Sequence, residues 1–348
     1  MSVKNARIFT VSPWEKLENF ISDCQYTSIF LLCDKNTFLH CLPYFKSKMP
    51  KLECDIIIIP AGEQIKDLET CQDIWSQWLK AGIERNSLVI CLGGGVVSDI
   101  GGFCASTIIR GVDCIYIPTS LMAMADASIG GKTGINFHLF KNQVGSFTMP
   151  RAIVIDSIFL KTLSERHLKN GYVEMIKHSL IQSPSYFQDL TALTWPLNES
   201  DLLEYMKKSI RTKTDIIEQD FEEKGIRKSL NFGHTVGHAL ESFFLEKGMD
   251  VLHGEAVAAG IICESYISSI LCKWRPNTLD TIRSFLKPFT GDLQFTESDY
   301  PAIMTKMQLD KKRKNKNMYF SLLDSPGKPK LDQLVTEELI LKSLEYYN

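Results

Sequence analysis

Three of the chain's seven histidines, His234, His238 and His253, lie close together in the sequence. His234 and His238 are four residues apart, so an α-helix would place both imidazoles on one face, about one turn apart. A third imidazole and a carboxylate from elsewhere would complete the ligand set of a catalytic zinc, with one position open for substrate. The alternative is a hydrogen-bonded core histidine, since such a pair without the glutamate of an HExxH motif is only moderately specific. The spacing therefore predicts a metal site and leaves its full ligand set open.

A run of glycines follows an apolar stretch in the first half of the chain. Residues 87–92 (SLVICL) are predicted as a buried strand, which ends in Gly93-Gly94-Gly95 and continues into a helical pattern. Such a turn brings backbone N–H groups and a helix dipole close to a phosphate. It departs from the GxGxxG fingerprint, because Ser98 stands at the third glycine and no acidic residue ends a strand about 20 residues later. Asp34, directly after the predicted strand 28–33, is the candidate for the ribose, and a tight packing turn is the alternative for the loop.

A second glycine cluster spans residues 126–136 (DASIGGKTGIN) and is followed by Lys141 and Asn142. Glycines expose the backbone, a lysine supplies a point charge and an asparagine supplies amide donors, a combination that suits a phosphate or a polyol. The cluster is not a Walker A loop, which would require a glycine where Asp126 stands. Its alternative is a structured surface turn, so the cluster alone is weak support for a ligand site.

Apolar runs alternate with helix-length segments through the first half of the chain. The predicted strands are residues 28–33, 55–59, 87–92, 114–117 and 152–155. Their unbroken apolarity is typical of parallel strands, and the alternation with helices predicts a Rossmann-like α/β domain with a mainly parallel sheet. After about residue 163 the patterns are helical, over residues 165–181, 201–221, 234–245, 254–272 and a piece from Glu337. We therefore predict an α/β domain over residues 1–160 and an all-α domain over residues 161–348.

The composition is that of an ordinary globular protein. The chain has 348 residues, more than a single core usually holds, with 44% hydrophobic residues and a net charge of −2. This balance gives no general attraction to nucleic acid or to a membrane. Neither a run of about 18 apolar residues nor a signal-peptide pattern occurs, so a cytoplasmic location is expected. The ten cysteines include no CxxC pair and are predicted to be buried and reduced.

The order of these and further motifs resembles the 3-dehydroquinate synthase family, within the sugar phosphate cyclase superfamily. The matching stretches are DKN at 34–36, GEQIK at 62–66, GGGVVSD at 93–99, RG at 110–111, PTSLMAMADASIGGKTGIN at 118–136, KN at 141–142, FLKTL at 159–163, GYVEMIKHSLI at 171–181, GIRKSLNFGHTVGHALE at 225–241, LHGEAVAAG at 252–260 and DKK at 310–312. They are co-linear and come from both halves of the chain. The departures from the family pattern are Ser98 for a glycine, Ser120 for a threonine, and LMAMAD at 121–126 for a more usual LLAQVD.

The resemblance implies an enzyme with an NAD-binding α/β domain, a helical metal- and substrate-binding domain, and a homodimeric assembly. It assigns the metal, zinc or cobalt, to Glu174, His234 and His253, and it moves His238 to the substrate-phosphate side of the site. Without it, Glu174 and Lys177 would be interpreted as an i, i+3 ion pair on a helix surface. The implied NAD contacts are Asp34, Glu63, Lys66, Gly94, Gly95, Val96, Asp99, Thr119, Ser120, Lys141, Phe159 and Thr162.

The resemblance also implies which residues handle the substrate. The implied catalytic residues are Asp126, Lys177, Lys213, Glu223, Arg227 and His238. Among them, Glu223 would be a proton acceptor. The implied substrate-binding residues are Arg110, Lys132, Asn142, Asn231, Lys311 and Lys312. Of these, Arg110 would reach the neighbouring subunit's site.

The implied reaction converts 3-deoxy-D-arabino-heptulosonate 7-phosphate to 3-dehydroquinate and phosphate. Transient oxidation of the C5 hydroxyl by NAD acidifies the adjacent C–H, phosphate is eliminated, the hydride returns, and the opened ring closes by an intramolecular aldol step. The alternatives are another sugar phosphate cyclase and a metal-dependent polyol dehydrogenase of the glycerol dehydrogenase type. The stretch GGKTGIN, Arg227, Asn231 and His238 favour the dehydroquinate branch.

Overall fold

The structure is a computed structural model that describes residues 2–4, 6–138, 140–310 and 318–348. The chain divides into two compact units, Met1–Ser164 (unit 1) and Glu165–Asn348 (unit 2). Each unit encloses its own set of buried apolar side chains, as separately packed units must.

Unit 1 is built on a sheet that is parallel except at one edge. Its strands are β1 (Ser2–Val3), β2 (Ala6–Phe9), β3 (Ile29–Asp34), β4 (Asp55–Ile59), β5 (Leu88–Gly93), β6 (Asp113–Pro118), β7 (Lys132–Phe137), β8 (Phe140–Phe147) and β9 (Ala152–Val154). Within the described ranges, the sheet order is β1-β2-β9-β6-β5-β3-β4. Only β1 pairs antiparallel with its neighbour, and the other six strands are parallel. The predicted α/β architecture is therefore confirmed.

Helices connect these strands. They are α1 (Pro13–Cys24), α2 (Lys35–His40), α3 (Leu42–Lys48), α4 (Leu68–Lys80) and α5 (Gly95–Thr107), with short 3-10 helices at Glu63–Ile65, Ile108–Arg110 and Ser157–Thr162 and a π-helical turn at Ala123–Ala127. Every position of β5 is buried, which explains its unbroken apolarity. Because α5 follows β5 at once, its first turn lies at the carboxyl edge of the sheet, where α/β proteins bind ligands.

The hairpin β7–β8 lies apart from the main sheet, with Lys132 opposite Phe147. Most of it coincides with the second glycine cluster and the residues after it. Glycine weakens an isolated strand, so the local pattern here does not predict one. The two strands are stabilised by their pairing with each other rather than by the strand propensity of their own residues.

Unit 2 is largely helical, as predicted. Its helices are α6 (Glu165–Gln182), α7 (Pro184–Thr191), α8 (Glu199–Gln219), α9 (His234–Glu246), α10 (His253–Cys272), α11 (Pro276–Leu286), α12 (Tyr300–Asp310) and α13 (Glu337–Tyr347), with 3-10 helices at Ile226–Asn231, Lys287–Phe289 and Glu297–Asp299. It also contains one element outside the all-α expectation. This is the antiparallel hairpin of β10 (Met318–Ser325) and β11 (Lys328–Val335).

The β10–β11 hairpin packs on α10 through one strand. Phe320, Leu322 and Leu323 of β10 are buried, and the Leu323 N–H donates to Ser268 Oγ at 3.2 Å. β11 is half-buried or exposed at every position except Val335 and carries several polar residues. Its sequence therefore lacks the apolar run that predicts a strand, and the pairing with β10 forms it.

Helix α10 is the core helix of unit 2. It is long and apolar enough to cross a membrane, but 72% of its apolar window is buried inside the protein. Its apolarity is therefore explained by packing against the other elements of the unit, as expected of a helix that is hydrophobic on all sides.

Helices α9 and α10 approach each other closely at Gly260. A Cβ at this position would lie 1.9 Å from the carbonyl oxygen of Gly233 and 2.6 Å from the backbone nitrogen of Gly237. Both neighbours are backbone atoms, which cannot rotate away. The absence of a side chain at Gly260 therefore sets the separation of the two helices.

Replacing Gly260 with alanine should destabilise the protein. In an unconstrained helix Gly→Ala stabilises by roughly 0.5–1 kcal/mol. Here the added methyl group must push α9 from α10, and we expect the free energy of unfolding to fall by about 1–3 kcal/mol or more. Urea unfolding measures the change, with Ser269→Ala on a partly exposed turn of α10 as the control. An unfolding free energy of Gly260→Ala equal to or above that of the wild type would show that the helices are not held this closely.

Candidate metal and nucleotide sites

Glu174 is surrounded by metal-ligating side chains in unit 2. Its side chain is fully buried on α6, and its Oε1 lies 3.5 Å from His234 Nε2 and 3.4 Å from His253 Nε2. Two ligands of a tetrahedral zinc ion, with bonds of about 2.1 Å, are separated by about 3.4 Å. The Glu174 oxygen is therefore spaced from both imidazole nitrogens as expected if all three bind one divalent ion.

Each of the two histidines is held with a defined nitrogen toward Glu174. His234 Nδ1 lies 3.2 Å from the carbonyl oxygen of Phe232, and His253 Nδ1 lies 3.3 Å from Glu241 Oε2. A carbonyl and a carboxylate only accept, so each Nδ1 donates its proton. Each Nε2 is then the nitrogen that faces Glu174 and that can bind a metal ion once it carries no proton.

His238 belongs to the same cluster. Its ring centroid lies 5.2 Å from that of His234 and 5.6 Å from that of His253. The three histidines offer ligand atoms that all lie within 4.8 Å of one another. The structure thus brings together the three histidines that the sequence spacing singled out, and Glu174 joins them from a different helix.

The first turn of α9, which begins at His234, is held by a residue of another helix. The N–H groups of Gly233 and Val236 donate to the carboxylate of Glu264 on α10, at 2.7 and 3.1 Å. Glu264 is fully buried. It satisfies N–H groups that have no partner within their own helix, so it fixes the start of α9.

The first turn of α10, which begins at His253, is held by two residues of α6. Asn170 Oδ1 accepts from the Gly254 N–H at 2.5 Å. Arg166 forms a bidentate ion pair with Glu255, with N–O distances of 2.7 and 2.9 Å. Because α6 also carries Glu174, this one helix positions both the carboxylate and the turn that bears His253.

Lys177 forms an ion pair with Glu174 inside the protein. Its Nζ lies 2.5 Å from Glu174 Oε2, and the two side chains are 2% and 0% exposed. The interpretation as a surface ion pair is therefore wrong. One oxygen of Glu174 faces the lysine and the other faces the histidines, so the carboxylate is compensated on both sides.

The two histidines differ in their proton affinity. Burial, and then the charge of Lys177, lower the pKa of His234 well below its usual value. Burial also acts to lower the pKa of His253, but hydrogen bonds to Glu174 and Glu241 outweigh it and raise that pKa to about 10. Since a metal ion binds the neutral imidazole, metal binding would release a proton from His253.

The other candidates of unit 2 lie on α8 and near the 3-10 helix Ile226–Asn231. Lys213 is buried on α8. Arg227 is buried as well, and its Nη1 donates to the Phe221 carbonyl oxygen at 2.5 Å. Asn231 Nδ2 donates to Glu223 Oε1, which brings these two candidates together. The candidates that lie outside the described residues are Lys311 and Lys312.

In unit 1 the glycine turn lies between β5 and α5. Gly94 is the N-cap residue of α5, and a Cβ there would lie 3.4 Å from Ser120 Oγ. The turn is therefore open enough for a ligand to approach the N–H groups of the first helical turn.

Asp34 ends β3, which pairs with β5, but its Oδ1 also accepts from the Thr37 N–H at 2.8 Å. Asp34 thus has a helix-capping role in addition to the predicted ribose contact.

Several predicted NAD and substrate residues form one polar group beside the β7–β8 hairpin. The buried Lys66 has its Nζ 2.6 Å from Asp99 Oδ2 and 2.5 Å from Asn142 Oδ1. Glu63 Oε1 accepts from Asn136 Nδ2 at 3.0 Å. The hairpin therefore brings Asn142 next to Lys66, which directly follows the 3-10 helix Glu63–Ile65 and contacts Asp99 of α5.

The remaining candidates of unit 1 are placed by short elements. Val96 lies in the first turn of α5, Thr119 and Ser120 follow β6, and the Thr119 N–H donates to the Gly93 carbonyl oxygen at 3.0 Å. The candidates on the hairpin are Lys132 and Lys141; those in short helices are Asp126, Phe159, Thr162 and Arg110. Arg110 has a φ of +69°, in a region that non-glycine residues rarely adopt.

Sequence reasoning missed the residues that hold the ligands in place. Glu241 follows His234 by seven residues and shares its helix face, so helical spacing could have found it. Asn170 precedes Glu174 by one turn and could have been found in the same way. Glu264 has no such signal, because its partners lie on another helix and are backbone groups.

Comparison with known families identifies both parts of the chain. The family model for the 3-dehydroquinate synthase N-terminal region matches residues 56–170, and that for the C-terminal region matches residues 171–313. A 3-dehydroquinate synthase from Parabacteroides distasonis is 40% identical over 333 residues, covering 95% of this chain and 94% of that protein.

Solved structures share the fold at lower identity. The 2-epi-5-epi-valiolone synthase from Streptomyces hygroscopicus subsp. jinggangensis 5008, with NAD+ and Zn2+ bound, gives a TM-score of 0.84 at 24% identity, covering 92% of this chain and 91% of that one. A 2-deoxy-scyllo-inosose synthase in complex with carbaglucose-6-phosphate, NAD+ and Co2+ gives 0.83 at 23%, covering 98% and 96%. The family models and the sequence relative together show that the chain belongs to the 3-dehydroquinate synthase family of the shikimate pathway.

Proposed function

We propose that Glu174, His234 and His253 hold the divalent ion, zinc or cobalt, on which this family's activity depends. The observation that carries the proposal is the separation of 3.4–3.5 Å between Glu174 Oε1 and the two Nε2 atoms, which fits tetrahedral ligands. The zinc and cobalt bound by the two structural relatives support the same choice of ion. His238 completes the cluster from the substrate side.

The glycine turn of unit 1 is the proposed site for the NAD pyrophosphate. The open approach at Gly94 and the adjacent start of α5 support it, because N–H groups at a helix N-terminus bind phosphate. Asp34 would contact the ribose. The other proposed contacts are Glu63, Lys66, Gly95, Val96, Asp99, Thr119, Ser120, Lys141, Phe159 and Thr162.

The proposed reaction is the conversion of 3-deoxy-D-arabino-heptulosonate 7-phosphate to 3-dehydroquinate and phosphate. When bound, NAD supplies a reversible hydride acceptor and the divalent ion supplies a Lewis acid for the substrate hydroxyls. A ketone at C5 acidifies the neighbouring C–H, so that phosphate can leave. The chain's own residues must therefore bind two anionic groups, accept a proton and hold one substrate through every step.

The buried cations of unit 2 suit the anionic groups of this substrate. Lys177, Lys213 and Arg227 are each at most 7% exposed, and cations shielded from water bind carboxylate and phosphate more strongly than exposed ones. Glu223, which accepts from Asn231, would take the proton. The other proposed substrate residues are Arg110, Asp126, Lys132, Asn142, His238, Lys311 and Lys312.

The domain roles and the assembly are part of the same proposal. Residues 1–160 would form the NAD-binding domain and residues 161–348 the metal- and substrate-binding domain. The family resemblance supports a homodimer in which Arg110 reaches the neighbouring subunit's site. A cytoplasmic location accords with the burial of the apolar helix α10 inside the protein.

Phosphate release without net reduction of NAD is the first test. With the heptulosonate phosphate, catalytic NAD+ and Zn2+, we expect free phosphate and the carbocyclic product to appear in equal amounts. The absorbance of NADH should stay flat, because each hydride removed from the substrate returns to it. Accumulation of NADH with substrate turnover would instead indicate a polyol dehydrogenase.

Loss of any proposed ligand should abolish phosphate release. Glu174→Gln removes the negative charge of a ligand, and His234→Ala and His253→Ala each remove a nitrogen donor. Loss of several kcal/mol of transition-state stabilisation lowers the rate by about a thousandfold or more. His167→Ala, which removes an exposed histidine of α6, is the control and should stay active. Turnover at the wild-type rate in any one ligand variant would refute that ligand's assignment.

Gly94→Ala should weaken NAD binding without unfolding the protein. The φ of −73° suits alanine, and the methyl group would make only an ordinary contact with Ser120. It would, however, fill the space through which a phosphate approaches the backbone. We expect the Kd for NAD+, measured by fluorescence titration, to rise at least about tenfold, roughly 1.4 kcal/mol.

The matched control for this prediction is Thr107→Ala, at the opposite end of α5. It should leave the Kd for NAD+ unchanged. Equal NAD affinity in Gly94→Ala and the wild type would show that the glycine turn serves only packing.

A further inference from the structure

Glu241 is a buried carboxylate that lies beside the metal cluster but is not among the proposed ligands or substrate contacts. It is on α9, seven residues after His234, so the two side chains project from one face of the helix. Its side chain is only 10% exposed. Its Oε2 lies 3.3 Å from Nδ1 of His253, which belongs to a different helix.

This contact fixes the orientation of the His253 ring. The ionised carboxylate can only accept, so Nδ1 keeps its proton and Nε2 is the nitrogen left to bind a metal ion. Nε2 lies on the other side of the ring, 3.4 Å from Glu174 Oε1. A flipped ring would point carbon atoms at both carboxylates and lose both contacts.

His253 needs such a support more than the other two ligands do. Its side chain is 33% exposed, whereas those of His234 and Glu174 are 13% and 0% exposed. Packing therefore restrains the His253 ring least. His234 is supported by a backbone carbonyl only two residues away, whereas His253 relies on a side chain from another helix.

We propose that Glu241 is a positioning residue for the metal ion, acting through His253. It holds the imidazole with Nε2 toward the ion, and its negative charge makes that nitrogen a stronger ligand. The inference rests on the proposed ligand set of Glu174, His234 and His253. Removal of such an outer carboxylate lowers metal affinity by about 10–100-fold in known sites, and the same range is expected here.

The experiment measures metal binding directly, without substrate and without turnover. Metal-free protein is titrated with Zn2+ against a chromogenic chelator, and the Co2+-loaded protein is examined by visible absorption. Glu241→Ala removes both the charge and the acceptor, and we expect its Zn2+ dissociation constant to rise about 10–100-fold. Glu241→Gln keeps the size and an amide oxygen, so a smaller rise is expected.

The absorption bands of bound Co2+ should change in Glu241→Ala, because the geometry at His253 is no longer fixed. A residue with a purely structural role would change the melting temperature of the metal-free protein and leave these bands alone. Glu246→Gln is the matched control, since it removes an exposed carboxylate of the same helix, paired with Lys306 at 2.7 Å. It should leave both metal readouts unchanged.

His253→Ala separates failure of this inference from failure of the proposed function. If His253→Ala binds Zn2+ as tightly as the wild type, the proposed ligand set itself is wrong. If His253→Ala loses binding while every folded Glu241 variant keeps wild-type affinity and Co2+ bands, only the role of Glu241 is overturned. Should Glu241→Ala fail to fold, Glu241→Gln decides by the same two readouts.

Discussion

The burial of the Glu174 carboxylate is the constraint on which the rest of unit 2 depends. A charged group in a protein interior is costly unless cations or hydrogen-bond donors surround it. Lys177 meets one oxygen, and His234 and His253 face the other. That second oxygen is the proposed ligand of a divalent ion, which would take the place of the proton that His253 holds without a metal.

The short distances between Glu174 and the two histidines require α6, α9 and α10 to pack at closely defined positions. The close contact at Gly260 sets the distance between α9 and α10, and Asn170 and Glu264 fix the first turns on which the two histidines lie. Ligand distances change if either helix shifts by a fraction of an ångström. Buried side chains that cap another helix would therefore serve the proposed metal site as well as stability.

In unit 1 the sheet topology brings the proposed nucleotide-binding residues together. Its parallel strands end along one edge of the sheet, so Asp34, Gly93 and Pro118 come from distant parts of the sequence to neighbouring strand ends. The same fold occurs in cyclases that make other products, at 23–24% identity to this chain. The fold alone therefore does not identify the substrate. The side chains of the site, rather than the fold, must therefore distinguish one substrate from another.

The sequence by itself determined the parallel sheet, the glycine turn after β5 and the clustering of three histidines, because each depends on residues that are neighbours in the chain. The family resemblance added Glu174, which no spacing rule would have joined to His234, 60 positions later in the chain. Only the tertiary structure decided that Lys177 is buried, that β10 and β11 pair, and that Glu241 supports His253 while Glu264 caps α9. Burial, strand pairing and contacts between helices depend on how the elements pack together, and the residue pattern of a single element does not specify that packing.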